Sequence, residues 1–225
     1  ELMSLGIKSG VIRCLPHPIP AAQKDADKSK LIESQLRHSV DDVLLAVIGF
    51  VANTKGIHHA IDTLSFLPGN FKLAVIGGLH PSHGYTSDYL QQLLDRVIDR
   101  GLQSRFYLTG YIQDDSDLFS AISECDICLF PYDLGFYRAV TSASVSMATA
   151  SHKPAIVFPT PAFEELSLRN KSVQVCKLAN GYEMAREVVK MNVTEKCNAA
   201  ITYSVENSCD AIALKLAKLY EELAF

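Results

Sequence analysis

Short, unbroken apolar runs recur along this chain, and helical patterns separate them. The runs are 43–49 (VLLAVIG), 71–78 (FKLAVIGG), 105–110 (RFYLTG), 126–132 (DICLFPY), 154–159 (PAIVFP) and 172–176 (SVQVC). Continuous apolar runs of this length read as strands buried on both faces, which is how a parallel sheet appears in sequence. Between them, 55–66 places Ile57, Ala60, Ile61 and Leu64 on one helical face. Leu90, Leu93, Leu94, Val97 and Ile98 form a full apolar stripe, with Thr86, Ser87 or Asp88 as cap and Gly101 as stop. Asp114 or Ser116 opens a short helix through Ile122. TSASVSMATAS, nearly all small residues, predicts a helix packed closely on the sheet. Helices at about 182–191 and 206–222 finish the pattern, the last with Ile212, Leu216, Leu219, Tyr220 and Leu223 on one face. Strands alternating with helices predict right-handed βαβ units. The expected fold is therefore α/β, a doubly wound parallel sheet in a single Rossmann-like domain.

The chain of 225 residues is long enough to bury a substantial core, and 48% apolar with 20% charged residues is an ordinary globular mix. Twenty-one Lys+Arg against 25 Asp+Glu give a net charge of −4, which argues against bulk nucleic-acid binding. No apolar run approaches the roughly 18 residues of a membrane span. The opening ELMSLGIKSGVIRC lacks a signal-peptide layout, and LPHPIP at 15–20 is extended and helix-breaking. Residues 1–30 are thus read as a linker and lead-in, 31–205 as the Rossmann-like domain and 206–225 as a closing helix. The start at Glu1 suggests a piece of a longer protein. Six cysteines show no disulfide framework, and Cys125 and Cys128 sit in a strand-like run as small hydrophobes. A reducing cytoplasm is the expected compartment, with the full-length protein free to be membrane-peripheral.

In doubly wound sheets, ligands bind at the carboxyl ends of the strands. Those ends here read GFVANTKG, GGLHPSHGYTSD, GYIQDDSD and PYDLGFYRAVTSAS. Gly49, Gly77 and Gly78 allow a ligand to approach the backbone. Helix N-termini near Thr141, Ser142 and Ala143 suit phosphate, and Lys55 adds a positive charge. There is no G-x-G-x-x-G after the first strand and no Walker A motif, so a plain dehydrogenase or P-loop reading is weak. No Asp-x-Asp or His cluster suggests a metal. His58 and His59 are neighbours on a helix and point to different faces, while His80 and His83 read as loop histidines. Glu164 and Glu165 read as helix-start carboxylates, with contact to a bound ligand as the alternative.

In order, VIGFVANTKGIHHAIDTL, FKLAVIGG, LLDRVIDRGLQSRFYLTGYIQDDSDLFSAISECDICLFPY and SVSMATASHKPAIVF resemble the C-terminal half of a GT-B glycosyltransferase of the group 1 family. The resemblance covers roughly 43–160, and 203–222 resembles the family's closing helix. It implies the donor-binding half of an enzyme that moves a sugar from a nucleoside-diphosphate sugar to an acceptor hydroxyl. The glycan or lipid-linked acceptor would be met through an absent N-terminal domain, without which this piece is inactive. It implies no cofactor beyond that donor. By resemblance Lys55 contacts the donor diphosphate, Gly77 and Gly78 form the loop approaching the donor, and Tyr111 and Ile112 form the turn whose backbone reads the base.

This chain departs from the family pattern in two places. Phe50 and Val51 stand where an Arg often follows the strand glycine, and Arg138 is the candidate for the missing charge. Ala139 and Met147 stand where many members carry two glutamates, so no catalytic residue is assigned. A glycosyltransferase-like binding or scaffold domain without catalysis is therefore the alternative, with a GT-B-type epimerase as a third reading.

Overall fold

The structure, a computed structural model, describes residues 6, 8, 12–22, 30–80, 87–136 and 142–223. Six strands form one parallel sheet: β1 (Val43–Ile48), β2 (Phe71–Ile76), β3 (Phe106–Leu108), β4 (Ile127–Phe130), β5 (Ala155–Val157) and β6 (Val173–Val175). Their order is β3-β2-β1-β4-β5-β6, so the chain winds outward in one direction from β1 and then in the other from β4. The expected α/β doubly wound sheet is the fold observed.

Strand pleating explains why the apolar runs are continuous. Leu45 and Val47 of β1 point into one core with Leu73 and Val75 of β2, while Leu44, Ala46 and Ile48 point into the opposite core. Helices α2 (Ile57–Ser65), α3 (Ser87–Asp99) and α7 (Gly181–Lys190) cover the first face. Helices α1 (Glu33–Leu36), α4 (Asp115–Glu124), α5 (Ala143–Ala150) and α6 (Pro161–Arg169) cover the second. Asp114 caps α4, accepting hydrogen bonds from the N–H groups of Ser116 and Asp117. Short α1 has no side-chain cap of its own, and the Glu124 carboxylate accepts instead from the N–H groups of Leu31, Ile32 and Glu33. All six cysteines are free, and Cys125, Cys128 and Cys176 are buried as small hydrophobes.

Two elements correct the sequence reading. Residues 193–206 form a helix of their own, α8 (Val193–Glu206), separated by Asn207 and Ser208 from α9 (Cys209–Leu223). α8 buries only Ala200 and Tyr203, so it lacks an apolar stripe. Helix α6 carries Glu164 in its first turn, as the helix-start reading expects, but its span is not among those predicted, although Thr160 caps it and Pro161 opens it. The apolar face expected on the closing helix is covered at Ile212, whereas Leu216 and Tyr220 are exposed. The segment around Ile19 pairs with Ser208 and packs against Phe119, Ala150 and Tyr203. Thr86 and His83 lie outside the described residues. No helix among the described residues is long and apolar enough to cross a membrane.

The adjacent histidines on α2 carry a pH prediction. His58 lies half-buried with Nδ1 3.0 Å from the Tyr89 hydroxyl, and its ring is 4.1 Å from that of His59. Burial, with the neighbouring His59 and Arg96 charges, lowers its pKa from 6.5 to about 4. The unfolded chain therefore binds a proton over this window that the folded chain refuses. Stability is full above 6.5 and falls as the pH drops toward about 4. In denaturant titrations across that range, His58→Gln should flatten the slope, and His59, also held down by burial, should keep part of it. An unaltered slope would remove His58 as its source.

Candidate functional site

The change in winding direction falls between β1 and β4, and there a pocket of about 410 Å³ opens at the carboxyl ends of the strands. Of the eight predicted site residues that the structure describes, seven line it: Gly49, Lys55, Gly77, Tyr111, Ile112, Ser142 and Ala143. Gly78 does not. Its carbonyl accepts from the Val51 N–H, and a Cβ there would fall 2.5 Å from the Tyr111 nitrogen, so it packs strand end against strand end. Arg138 and Thr141 lie outside the described residues, as does Ala139. Two larger hollows share only Ser142, or Tyr111 and Ile112, with the predicted set.

The floor of the pocket is backbone. Gly77 has φ +144, and a Cβ there would meet the Gly49 carbonyl oxygen at 2.1 Å. A side chain at that point would push the ends of β1 and β2 apart. The Gly77 N–H donates to Thr109 Oγ1 at 3.0 Å, which ties in the end of β3.

Lys55 closes a single 3₁₀ turn, Asn53–Lys55, and the next residue, Gly56, adopts φ +64. This loop is locked to the loop after β4: the Asp133 N–H donates to the Thr54 carbonyl at 3.0 Å. Locking turns the Lys55 ammonium onto Tyr132. Nζ donates to the Tyr132 hydroxyl at 2.9 Å and lies 4.2 Å from the ring centroid. The same hydroxyl is 3.0 Å from Ser142 Oγ. Ser142 is the N-cap residue of α5 but makes no side-chain cap, since its hydroxyl faces Tyr132 instead. The N–H groups of Ala143 and Ser144 lie too early in α5 for intrahelical acceptors, and both residues line the pocket wall.

The mouth is aromatic. Phe50 and Tyr111 are stacked, with ring centroids 5.9 Å apart and an interplanar angle of 8°, and His80 lies 4.4 Å from Phe50. Ile48, Ile76, Leu118 and Met147 complete an apolar wall. Phe50, Ser144 and Met147 are thus pocket residues beyond the sequence candidates, although Phe50 and Met147 mark departures from the family pattern. Tyr132 escapes sequence reasoning altogether, because its run reads as an ordinary strand. Among the described residues, no group of three or more His, Cys, Asp or Glu is gathered for a metal.

Solved structures of known proteins share this fold. The Anabaena Alr3699/HepE structure in complex with UDP superposes with TM-score 0.78 at 16% identity, covering 98% of this chain and 60% of that one. WaaG, a glycosyltransferase involved in lipopolysaccharide biosynthesis, gives 0.68 at 17% identity, with 95% and 57% covered. The C-terminal domain of a group 1 glycosyl transferase family protein (LpcC) from Francisella tularensis gives 0.58 at 16%, covering 87% of this chain and 96% of that domain. At these identities the likeness establishes the fold, and the chain spans little more than half of the first two structures. No curated protein matches in sequence. Residues 41–193, more than half of the chain, match the family described as "Glycosyl transferases group 1", and the chain belongs to that family.

Proposed function

We propose that the pocket binds the nucleoside-diphosphate part of a sugar nucleotide, and that the chain is the donor-binding half of an enzyme transferring the sugar to an acceptor hydroxyl. The observation that carries this reading is the Lys55 ammonium, fixed at the strand-order switch beside the N-terminus of α5. A lysine and first-turn N–H groups together suit a diphosphate, and they stabilise it as it departs. The HepE structures hold UDP, UDP-glucose, or UDP with glucose, which makes a uridine nucleotide the first ligand to try. In this reading, residues 1–30 connect to a second domain that brings a glycan or lipid-linked acceptor, 31–205 bind the donor and 206–225 close the domain. Polysaccharide or glycolipid synthesis on the cytoplasmic side is the setting it implies, and the piece alone transfers nothing.

Calorimetric titration with UDP and GDP tests the reading. Saturable binding of one of them is expected, and no binding of either at millimolar concentration overturns it. A base held at the mouth would lie against Phe50 and Tyr111. Phe50→Ala should then weaken UDP binding by about 1 kcal/mol, the scale of an aromatic pair, and leave inorganic pyrophosphate unaffected. Equal losses for the two ligands would place the base elsewhere.

One observation favours a second reading, a binding domain without catalysis. Met147, an apolar side chain, lines the pocket at a position where the family resemblance places a carboxylate. Sugar transfer from UDP-glucose or another sugar nucleotide by the full-length protein would exclude it. Nucleotide binding with neither transfer nor donor hydrolysis would favour it.

A further inference from the structure

Tyr132 is fully buried, yet its hydroxyl is the hub of the polar contacts beneath the pocket. Its ring is clamped edge-on by Phe130 at 5.7 Å and packed against Phe163 at 5.6 Å. Both neighbours are themselves fully buried, so the ring has no room to turn aside. The hydroxyl contacts Ser142 at 3.0 Å and receives a hydrogen bond from Lys55 at 2.9 Å. Burial raises the phenol pKa, an effect only partly offset by the Ser142 and Ser144 hydroxyls, so the group remains a neutral dipole.

A lysine side chain is long and flexible, and ordering it costs much of the rotamer freedom it has in water. Here one ammonium hydrogen is taken by the Tyr132 hydroxyl and the ring face lies 4.2 Å below the charge. The alkyl stem crosses above the bare Cα of Gly49, where an added methyl group would meet Lys55 Cε at 3.4 Å and Ser144 Oγ at 3.5 Å. The charge is thus held at one point, over the end of β1 and next to the first turn of α5.

We propose that Tyr132 is a positioning residue, whose rigid ring and hydroxyl hold the Lys55 ammonium where the anionic part of the ligand binds. The inference rests on the donor-binding reading and adds to it that the affinity for diphosphate depends on a buried tyrosine that does not touch the ligand. The experiment is a double-mutant cycle on the whole chain, using Tyr132→Phe, Lys55→Met and both together. UDP and uridine are the ligands, and a thermal melt accompanies each variant. Tyr132→Phe keeps the packed ring and removes only the hydroxyl, so its melt should stay near that of the wild type. It should weaken UDP binding about three- to tenfold, the scale of one hydrogen bond. Uridine, which has no phosphate, should bind unchanged. In the Lys55→Met background, Tyr132→Phe should have no further effect on UDP, because the group it positions is gone.

Three results would overturn the proposal: unchanged UDP affinity in Tyr132→Phe, an equal loss for uridine, or the same loss with and without Lys55. Ser142→Ala, which removes a partner from the other side of the hydroxyl, gives a second route should Tyr132→Phe melt early. It should produce a smaller loss for UDP that likewise vanishes in Lys55→Met. Wild-type protein that binds neither UDP nor GDP would instead mark failure of the donor reading itself.

Discussion

Replacing Lys55 by alanine is expected to weaken UDP binding by about 1.5–3 kcal/mol, the range for a hydrogen bond to a charged group, or roughly ten- to over a hundredfold in Kd. The fold should barely notice. Lys55 lies at the end of a surface turn, and the buried Tyr132 hydroxyl keeps Ser142 as a partner after the substitution. Loss of the cation–π contact costs folding only about 0.5–1 kcal/mol. A large fall in affinity with a small change in stability is therefore the signature. Binding of the wild type should also weaken with added salt more steeply than that of the variant, because one charge contact is missing from the latter. Isothermal titration at two ionic strengths measures both effects, and an unchanged Kd would take Lys55 out of the site.

Gly56→Ala should do the opposite, striking the fold first. Gly56 has φ +64, and a Cβ there would be placed 1.8 Å from the carbonyl oxygen of Pro131 and 2.9 Å from its carbon. Both atoms are backbone, so no side chain can swing away. The left-handed conformation costs an L-residue about 1–2 kcal/mol, and forced overpacking adds a similar amount or more, which gives an expected loss of about 2–5 kcal/mol. Gly101→Ala is the control: it has the same φ of +64 with nothing within 4 Å of the added carbon. It should show only the conformational part, about 1–2 kcal/mol. Urea denaturation of the two variants separates the contributions. Equal losses would mean that the contact between the 53–56 loop and Pro131 is softer than its geometry indicates. Since parting these two loops also strains the Asp133–Thr54 bond that aims Lys55, the Gly56 variant should also bind UDP more weakly than its residual folded fraction accounts for.

The sheet is legible in the sequence because each strand is buried on both faces, so burial writes itself as unbroken apolar runs such as VLLAVI and FKLAVI. Helix α3 is equally plain, since its stripe meets the core through Leu93 and Val97. α8 is not, because a helix that buries only Ala200 and Tyr203 needs no stripe. α6 leaves a readable signal in Thr160-Pro161, a cap followed by a proline at the first helical position. At the site, spacing points to residues that share the strand ends: Gly49, Lys55, Gly77, Tyr111 and Ser142. It does not reveal Tyr132, whose hydroxyl matters through a partner 77 positions away. Nor does it reveal that Phe50 stacks on Tyr111, because the loops after β1 and β3 are far apart in sequence and meet only across the end of β2.

The crowded floor of the pocket has a consequence for how such a protein can change over generations. At Gly77, backbone meets backbone with no space for even one carbon, so nearly every substitution there is eliminated by misfolding before any ligand is tested. The rim is permissive by contrast: Phe50 and Tyr111 are partly exposed and anchor no core cluster. Variation in ligand preference is therefore channelled to the rim, and a selection or library aimed at altered ligand choice should hold the floor constant and diversify Phe50 and Tyr111.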